Sequence, residues 1–284
     1  MKLTKRDIDI VLAVYQYRLL ASQQIEALFF SSSSSSSHSR RSACQRRLQL
    51  LYHHGYLQRI ARPVVLGEGR APFVYALDEK GAKEVASELG IDREGVGWRP
   101  KDNQVSALFL DHTLAINDVR VVFNCLTKNN SWQVASWIDD TEFRSGQMQE
   151  KVPFRKKGAS IERIYPDGYL VLNLEHSEKR LHFFLEVDRA TMSNSRWQGK
   201  ITAYLNFRSS GLSVKYFGTR NFRVLCVTTS QARLENLMRA TEAAGGNTFF
   251  WFTTQQNVDI WTPEKLVEKV WSVVGAEGLH SFIA

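Results

Sequence analysis

Long apolar runs are missing from this chain of 284 residues. No stretch approaches the roughly 20 apolar residues that a membrane-spanning helix needs. Residues 1–7 run into an amphipathic pattern without the apolar core of a signal peptide, so we expect a cytoplasmic protein with no membrane partner. Cysteine pairs are also missing. Cys44, Cys125 and Cys226 are scattered, which argues against a disulfide framework or a zinc knuckle and predicts buried thiols.

Two common catalytic signatures are absent as well. Gly245-Gly246 is not followed by the Lys-Ser/Thr pair of a phosphate-binding loop, which disfavours nucleotide hydrolysis. No Gly-x-Ser-x-Gly elbow occurs anywhere in the chain, so a serine hydrolase also lacks support.

Negative charge is absent between Glu26 and Glu68. Residues 1–104 hold 16 Lys and Arg against 11 Asp and Glu, within a total net charge of +8. The stretch without acids contains six arginines, namely Arg40, Arg41, Arg46, Arg47, Arg59 and Arg62. Clustered arginine is typical of a phosphate-binding surface, and a solvated basic face is the alternative interpretation.

Residues 1–95 are predicted to form three helices and a β-hairpin. The predicted elements are a helix capped by Thr4, a helix over 22–30, a helix over 41–54 ended by Gly55, and strands over 56–60 and 73–77. In the third helix we expect Leu48, Leu51 and Tyr52 to face inward. This order resembles winged-helix (winged helix-turn-helix) DNA-binding domains, whose third helix enters the major groove.

The candidate contacts to double-stranded DNA are polar residues of the third helix and the hairpin connection. They are Arg40, Arg41, Gln45, Arg46, Gln49 and Arg70. A winged helix that binds only protein is the alternative interpretation.

A linker over 96–104 is predicted to lead into a second domain over 105–284, which gives an α/β fold class (α+β overall). The expected elements are helices over 105–126, 230–244 and 263–274 and strands over 132–138, 222–228 and 248–253. Residues 164–172 and 180–188 are predicted as an antiparallel hairpin joined by the polar turn 175–178.

A four-residue turn in this hairpin would set Asp167 directly opposite Glu186 on one face. Two opposed carboxylates repel each other and suit a shared divalent cation. Asp188 lies on the same face as Glu186. Lys200 and Tyr204 follow one turn apart on a helix, where the lysine ammonium can orient water or stabilise a charged phosphate. Taken singly, these residues are typical of a turn, a strand end and a helix surface.

The segments Pro166-Asp167 and Glu186-Val187-Asp188 resemble the Pro-Asp…(Asp/Glu)-x-Lys core, PD-(D/E)xK, of restriction-endonuclease-like nucleases. That fold is α/β with a mixed sheet. Asp188 stands where the lysine belongs, so Lys200 would supply the amine, as in members of the superfamily that relocate it.

Together with the winged helix, the segments over 165–168, 185–191 and 200–204 resemble the replication-relaxation family. The resemblance implies plasmid or mobile-element replication and relaxation, including mobilisation relaxases that nick one strand. It also implies Mg²⁺ or Mn²⁺ held by Asp167 and Glu186 and assisted by Asp188 and Lys200. The partners that it implies are a second copy of the chain, as in a homodimer, or other mobilisation or replication proteins.

Glu142 is a further candidate acid because it follows a strand that can approach the same edge. The commoner relaxases use a His-hydrophobic-His cluster and a nucleophilic tyrosine, and no such histidine pattern occurs among the seven histidines. Tyr165 and Tyr169 are candidate nucleophiles, with a packing role as the alternative for Tyr165, and Tyr204 is an additional site candidate. The competing interpretation is a non-enzymatic DNA-binding regulator or replication accessory with a degenerate nuclease domain.

Overall fold

The computed structural model describes residues 1–31, 36–60, 71–127, 132–144, 165–174 and 179–282. These residues form two compact units, Met1–Val121 and Val122–Ala284. The proposed domain boundaries at 95 and 104 stay predictions, and the division between the compact units falls inside one long helix. Across the ranges above, no helix has both the length and the apolarity to cross a bilayer. Arg70 and the turn 175–178 lie outside the described residues.

The first unit is mainly helical. Its elements in chain order are α1 (Lys5–Tyr17), β1 (Leu19–Ala21), α2 (Ser22–Phe29), α3 (Ser37–His53), β2 (Leu57–Ile60), β3 (Val74–Leu77), α4 (Glu79–Leu89) and the start of α5 (Ala107–Leu126). Thr4 caps α1 as predicted: its hydroxyl accepts from the backbone N–H of Asp7, whose carboxylate accepts from the backbone N–H of Thr4 at 2.7 Å. Three helices and a hairpin are therefore present at the predicted places.

The strands of this unit form an antiparallel sheet in the order β1-β3-β2. The predicted hairpin between β2 and β3 is confirmed. Strand β1 was not predicted, because three consecutive buried residues are too short to show alternation. Leu19 and Val74 of this sheet pack against Leu110 and Leu114 of α5.

On α3, Leu48 and Leu51 are buried as predicted. The inward placement of Tyr52 was wrong, since 37% of this residue is exposed. At 100° per residue, Tyr52 falls on the same helical stripe as Gln45 and Gln49, both of which are exposed. Helical periodicity predicted that the apolar ring of Tyr52 would be buried in the core, whereas this ring lies on the polar face of α3.

The segment after α4 contains two short 3₁₀ turns, Arg93–Val96 and Pro100–Asn103. The buried Asn103 side chain donates hydrogen bonds to the Leu77 carbonyl oxygen at 2.9 Å and to Gln58 Oε1 at 2.6 Å. This polar stretch is thus anchored on strands β2 and β3.

The second unit contains a mixed sheet with helices between its strands. Its elements are β4 (Trp132–Asp139), α6 (Asp140–Arg144), β5 (Gly168–Leu174), β6 (Arg180–Asp188), α7 (Asn194–Ser209), α8 (Leu212–Phe217), β7 (Phe222–Thr228), α9 (Gln231–Ala243), β8 (Phe250–Thr254), β9 (Trp271–Val273) and β10 (Leu279–His280), after the end of α5. The strand order is β10-β9-β8-β7-β6-β5-β4. Strands β6, β7 and β8 are parallel and the other described pairs are antiparallel, so a mixed α/β architecture is confirmed.

The core of this unit surrounds Phe184 of β6. Its ring centroid lies 4.9 Å from that of Tyr169, 5.6 Å from that of Tyr204 and 5.1 Å from that of Phe222. The Trp197 indole N–H on α7 donates to the Thr241 hydroxyl on α9 at 2.8 Å. Helices α7 and α9 therefore cover one face of the sheet as a joined pair.

The predicted helix over residues 263–274 was wrong. A short 3₁₀ turn, Pro263–Val267, is followed by strand β9, in which Trp271 and Val273 are buried. The Trp271 indole N–H donates to the Leu266 carbonyl oxygen at 2.7 Å. Pairing with β8 outweighs helix formation here, and a short apolar run does not distinguish the two by periodicity.

Candidate active site

The predicted hairpin register is confirmed. Gly168 pairs with Leu185, and the Asp167 backbone N–H donates to the Leu185 carbonyl oxygen at 2.9 Å. Continuing the ladder by one residue sets Asp167 opposite Glu186. The Asp167 carboxylate accepts from the Val187 backbone N–H at 2.7 Å, which holds it at the end of β6.

Glu186 is the centre of a buried polar cluster. It is 2% exposed, and the Lys200 ammonium donates to its Oε2. The Tyr204 hydroxyl donates to the other oxygen, Oε1, at 2.7 Å. Both carboxylate oxygens of Glu186 thus accept a hydrogen bond from α7.

Helix α7 presents Lys200 and Tyr204 together because they are four residues apart. The Ser193 hydroxyl begins the helix by accepting from the Arg196 backbone N–H at 3.3 Å. Trp197 is buried against the sheet, whereas the Lys200 side chain keeps 17% of its surface exposed. The ammonium group is therefore held close to the sheet while part of the side chain remains accessible.

The cluster is electrostatically coupled. Burial raises the pKa of Glu186, Lys200 opposes the rise and the neighbouring Asp167 adds to it. Burial pulls the pKa of Lys200 down, but the carboxylates of Glu186 and Asp167 outweigh this and raise it overall. Lys200 is thus an ammonium ion at neutral pH, placed between two acidic side chains.

Asp188 occupies a separate ion pair. Arg233 of α9 donates to its two carboxylate oxygens at 2.8 and 2.9 Å, and the Thr228 hydroxyl donates at 2.9 Å. Burial favours the neutral acid, but these bonds prevail and lower the pKa of Asp188. Arg233 also donates to the Met192 carbonyl oxygen at 2.7 Å, so the pair fastens the connection between β6 and α7.

The same connection contains a strained residue. Ala190 has a φ of 59°, a conformation that residues with a Cβ rarely adopt. Its backbone N–H donates to Asp188 Oδ2 at 3.1 Å, which holds this geometry. Arg233 was not predicted as a site residue, because its only signal in the sequence is its place three residues after the Ser230 cap of α9.

Cys226 also lies at the cluster, directly opposite Glu186 in the parallel pair of β6 and β7. Burial raises the pKa of its thiol well above the ordinary range. The three cysteines are buried thiols, as predicted, and the sequence carried no signal that Cys226 borders the site.

Gly168 permits a close approach beside Asp167. A Cβ at this position would lie 2.8 Å from Trp137 Cζ2, closer than such atoms come in real proteins. The register pairs Asp139 with Gly168, so the end of β4 lies beside the start of β5. This agrees with the expected approach of β4, although Glu142 itself is an exposed residue of α6.

Tyr165 packs against the core of the second unit. Within the ranges that the structure covers, no group of three or more His, Cys, Asp and Glu side chains is arranged to hold a metal ion. Asp167 and Glu186 are the two carboxylates that the sequence placed together. Their role as metal ligands stays a prediction.

The candidate DNA contacts lie on α3. Arg41, Gln45, Arg46 and Gln49 are exposed, and Arg40 is partly buried. Arg41 Nε lies 3.9 Å from a Glu26 carboxylate oxygen, so part of its charge is balanced.

Arg47 has a structural role instead. Its guanidinium donates to both carboxylate oxygens of the buried Asp7, with a distance of 2.9 Å from Nε to Oδ1. The arginine run is therefore a mixture of exposed residues and one internal counterion.

These features define a two-unit α/β protein with a mixed sheet and a buried carboxylate–lysine–tyrosine cluster. The model of the replication-relaxation family matches residues 12–221, which include α3, both strands of the acidic hairpin and Lys200. The chain therefore belongs to the replication-relaxation family, which indicates a role in replication or relaxation. Comparison with curated proteins and with solved structures gives no match.

Proposed function

We propose that this protein binds double-stranded DNA through its first unit and nicks DNA, as a metal-dependent, relaxase-like endonuclease of plasmid or mobile-element replication. The observation that carries the proposal is the buried Glu186, which contacts Lys200 and Tyr204 beside Asp167. Ion pairs buried to this degree add little to stability, because desolvation offsets their attraction. Perturbed ionisable groups of this kind are concentrated at functional sites.

The donor set fits a hard divalent cation. Asp167 and Glu186 offer carboxylate oxygens, the ligands that Mg²⁺ and Mn²⁺ prefer, and the Asp167 charge disfavours ionisation of Glu186. A bound ion would polarise a phosphate oxygen and lower the pKa of a water molecule. We infer that these two residues would hold Mg²⁺ or Mn²⁺.

The remaining side chains have distinct roles in this proposal. The Lys200 ammonium would stabilise negative charge that develops on the attacked phosphate. The Tyr204 hydroxyl fixes the orientation of Glu186 through its hydrogen bond to Oε1. Asp188 would act as a positioning residue, because its carboxylate is taken by Arg233 rather than directed at Lys200.

DNA binding is supported by the form of the first unit. Three helices and a sheet in the order β1-β3-β2 resemble a winged helix, in which α3 would be the reading helix. The exposed side of α3 carries Gln45, Arg46 and Gln49, which suit base edges and phosphates.

In the second unit, the combination of a buried acidic hairpin with a lysine on the following helix resembles the active site of a PD-(D/E)xK nuclease.

The test is nicking of supercoiled plasmid DNA with Mg²⁺ or Mn²⁺. We expect wild-type protein to nick, and Asp167→Asn, Glu186→Gln and EDTA each to abolish nicking. Glu235→Gln is the matched control, because Glu235 is an exposed acid of α9 in the same unit. Metal-dependent nicking that persists in both site variants would refute the assignment of the site.

A second candidate function is a non-enzymatic DNA-binding regulator or replication accessory. It is favoured by the direct bond from Lys200 to Glu186 and by Asp188 in the place of the motif lysine. Under this alternative the cluster serves only to hold α7 on the sheet. Tight DNA binding by wild-type protein without nicking, on plasmids that carry the native locus, would support it.

A further inference from the structure

Arg59 of β2 is held between two aromatic rings in the first unit. Its guanidinium carbon lies 4.4 Å from the ring centroid of Tyr52 and 4.4 Å from that of Phe73. Tyr52 and Phe73 are 37% and 36% exposed, so the stack is at the protein surface. Contacts of this kind restrict the rotamers of an arginine and preorganise its donors.

The charge of this guanidinium has no carboxylate partner within the described residues. Arg59 Nε is buried without a hydrogen-bond partner in the same set. On β3 the residue directly opposite is Tyr75, whose ring is a third aromatic neighbour at 5.8 Å. A preorganised cation surrounded by rings rather than acids is suited to an external anion.

The stack continues the exposed face of α3. Arg41, Gln45, Gln49 and Tyr52 lie within about 80° of one another at 100° per residue, so they form one stripe along the helix. Tyr52 ends this stripe, and Arg59 packs on its ring. A duplex whose groove receives α3 would therefore bring its backbone to Arg59.

We propose that Arg59, clamped by Tyr52 and Phe73, binds a backbone phosphate of double-stranded DNA beside the groove that α3 occupies. The inference rests on the proposed DNA-binding function and adds a contact that positions the helix. One hydrogen bond of the guanidinium goes to the Tyr75 side chain. A phosphate is favoured over an unpaired base because the guanidinium already stacks on both rings and has more N–H donors than this one bond uses.

The experiment measures binding of a short fluorescein-labelled duplex of mixed sequence by anisotropy, from about 50 to 200 mM salt. Arg59→Gln removes the charge, and Arg59→Lys keeps the charge but removes the planar fork. Lys83→Gln is the matched control, because it removes one exposed charge from α4 of the same unit. Circular dichroism melting checks that each variant folds.

We expect Arg59→Gln to bind roughly tenfold more weakly and to lower the slope of log K against log salt by about one. Arg59→Lys should keep the slope and lose several-fold in affinity, and Lys83→Gln should match the wild type. If Arg59→Gln does not fold, Arg59→Lys carries the test, and wild-type affinity in that variant would overturn the proposal.

The outcomes separate this inference from the proposed function. Failure of wild-type protein to bind any duplex would remove the function and the inference together. Duplex binding with an unchanged slope and affinity in Arg59→Gln would remove the inference alone. If Arg59→Gln loses affinity only for a single-stranded oligonucleotide, the aromatic rings would be assigned to base stacking. That result would overturn the proposed phosphate contact.

Discussion

Substituting Arg47 by alanine should destabilise the first unit although this residue belongs to the same basic run as Arg46. The buried Asp7 carboxylate accepts from Arg47 and also from the Thr4 backbone N–H and hydroxyl, at 2.7 and 2.6 Å. Removing Arg47 leaves a buried charge without its cation. Loss of one partner of such a pair costs about 3–5 kcal/mol.

The lower end of that range applies here. The Arg47 side chain is 28% exposed, and Asp7 would keep its two bonds from Thr4. We therefore expect the free energy of unfolding to fall by about 3 kcal/mol at pH 7. Urea denaturation followed by circular dichroism would show a lower midpoint with an unchanged slope.

The pH dependence makes the prediction specific. Burial favours the neutral acid, but Arg47 and Thr4 prevail and lower the folded-state pKa of Asp7. A depressed carboxyl pKa stabilises the fold above the unfolded value of about 3.9, and this contribution is lost as pH falls through the folded pKa. The deficit of Arg47→Ala should therefore shrink below about pH 4. A deficit that is the same at pH 7 and at acidic pH would refute this reasoning.

Arg46→Ala is the matched control because Arg46 is the exposed neighbour of Arg47. Its effect on stability should lie within about 0.5 kcal/mol, while duplex binding should weaken and depend less on salt. Equal losses of stability in the two variants would contradict the assignment of Arg47 as the counterion of Asp7.

Three further changes test other parts of the fold. Lys200→Met should leave Glu186 buried without a cation and lower stability by about 3–5 kcal/mol in urea denaturation, and the double variant with Glu186→Gln should recover part of this loss. Gly168→Ala should lower the melting temperature and any nicking activity, because the added Cβ meets the Trp137 ring at 2.8 Å. Asp118→Asn should raise stability at pH 7 by up to about 3 kcal/mol, because burial raises the pKa of Asp118 to about 6, although Gln24 opposes the rise. The destabilisation of the wild type by the buried Asp118 carboxylate is absent below pH 4 and grows up to about pH 6. Denaturation at pH 4 should therefore show almost no difference between Asp118→Asn and the wild type.

The acidic hairpin was predictable because local chemistry determines it. The sequence places four polar residues between two apolar runs, and the register expected from this spacing, which the strands adopt, sets Asp167 against Glu186. The spacing of Lys200 and Tyr204 on one helix was likewise visible, because residues four apart share a helical face. These parts of the site depend on residues close in sequence or joined by one turn.

Other contacts depend on distant residues and left no local pattern. The partner of Asp7 lies 40 residues away, and Arg233 reaches Asp188 across 45 residues. No spacing rule distinguishes Arg47 from Arg46 before the helices are packed. The inward placement of Tyr52 failed for a related reason, because its apolar ring stacks with Arg59 at the surface.

The position of Asp188 bears on the choice between nuclease and degenerate nuclease. An aspartate in the place of the motif lysine would add a third negative charge, but Arg233 balances it outside the Lys200 contact. The Lys200 ammonium interacts with both Asp167 and Glu186, and the charge of Asp167 disfavours ionisation of Glu186. A divalent cation would relieve the repulsion between these two carboxylates, whereas a contact that only held α7 on the sheet has no use for that repulsion. The repulsion between Asp167 and Glu186 is therefore the feature of the cluster that favours the proposed metal-dependent reaction over a purely structural pair.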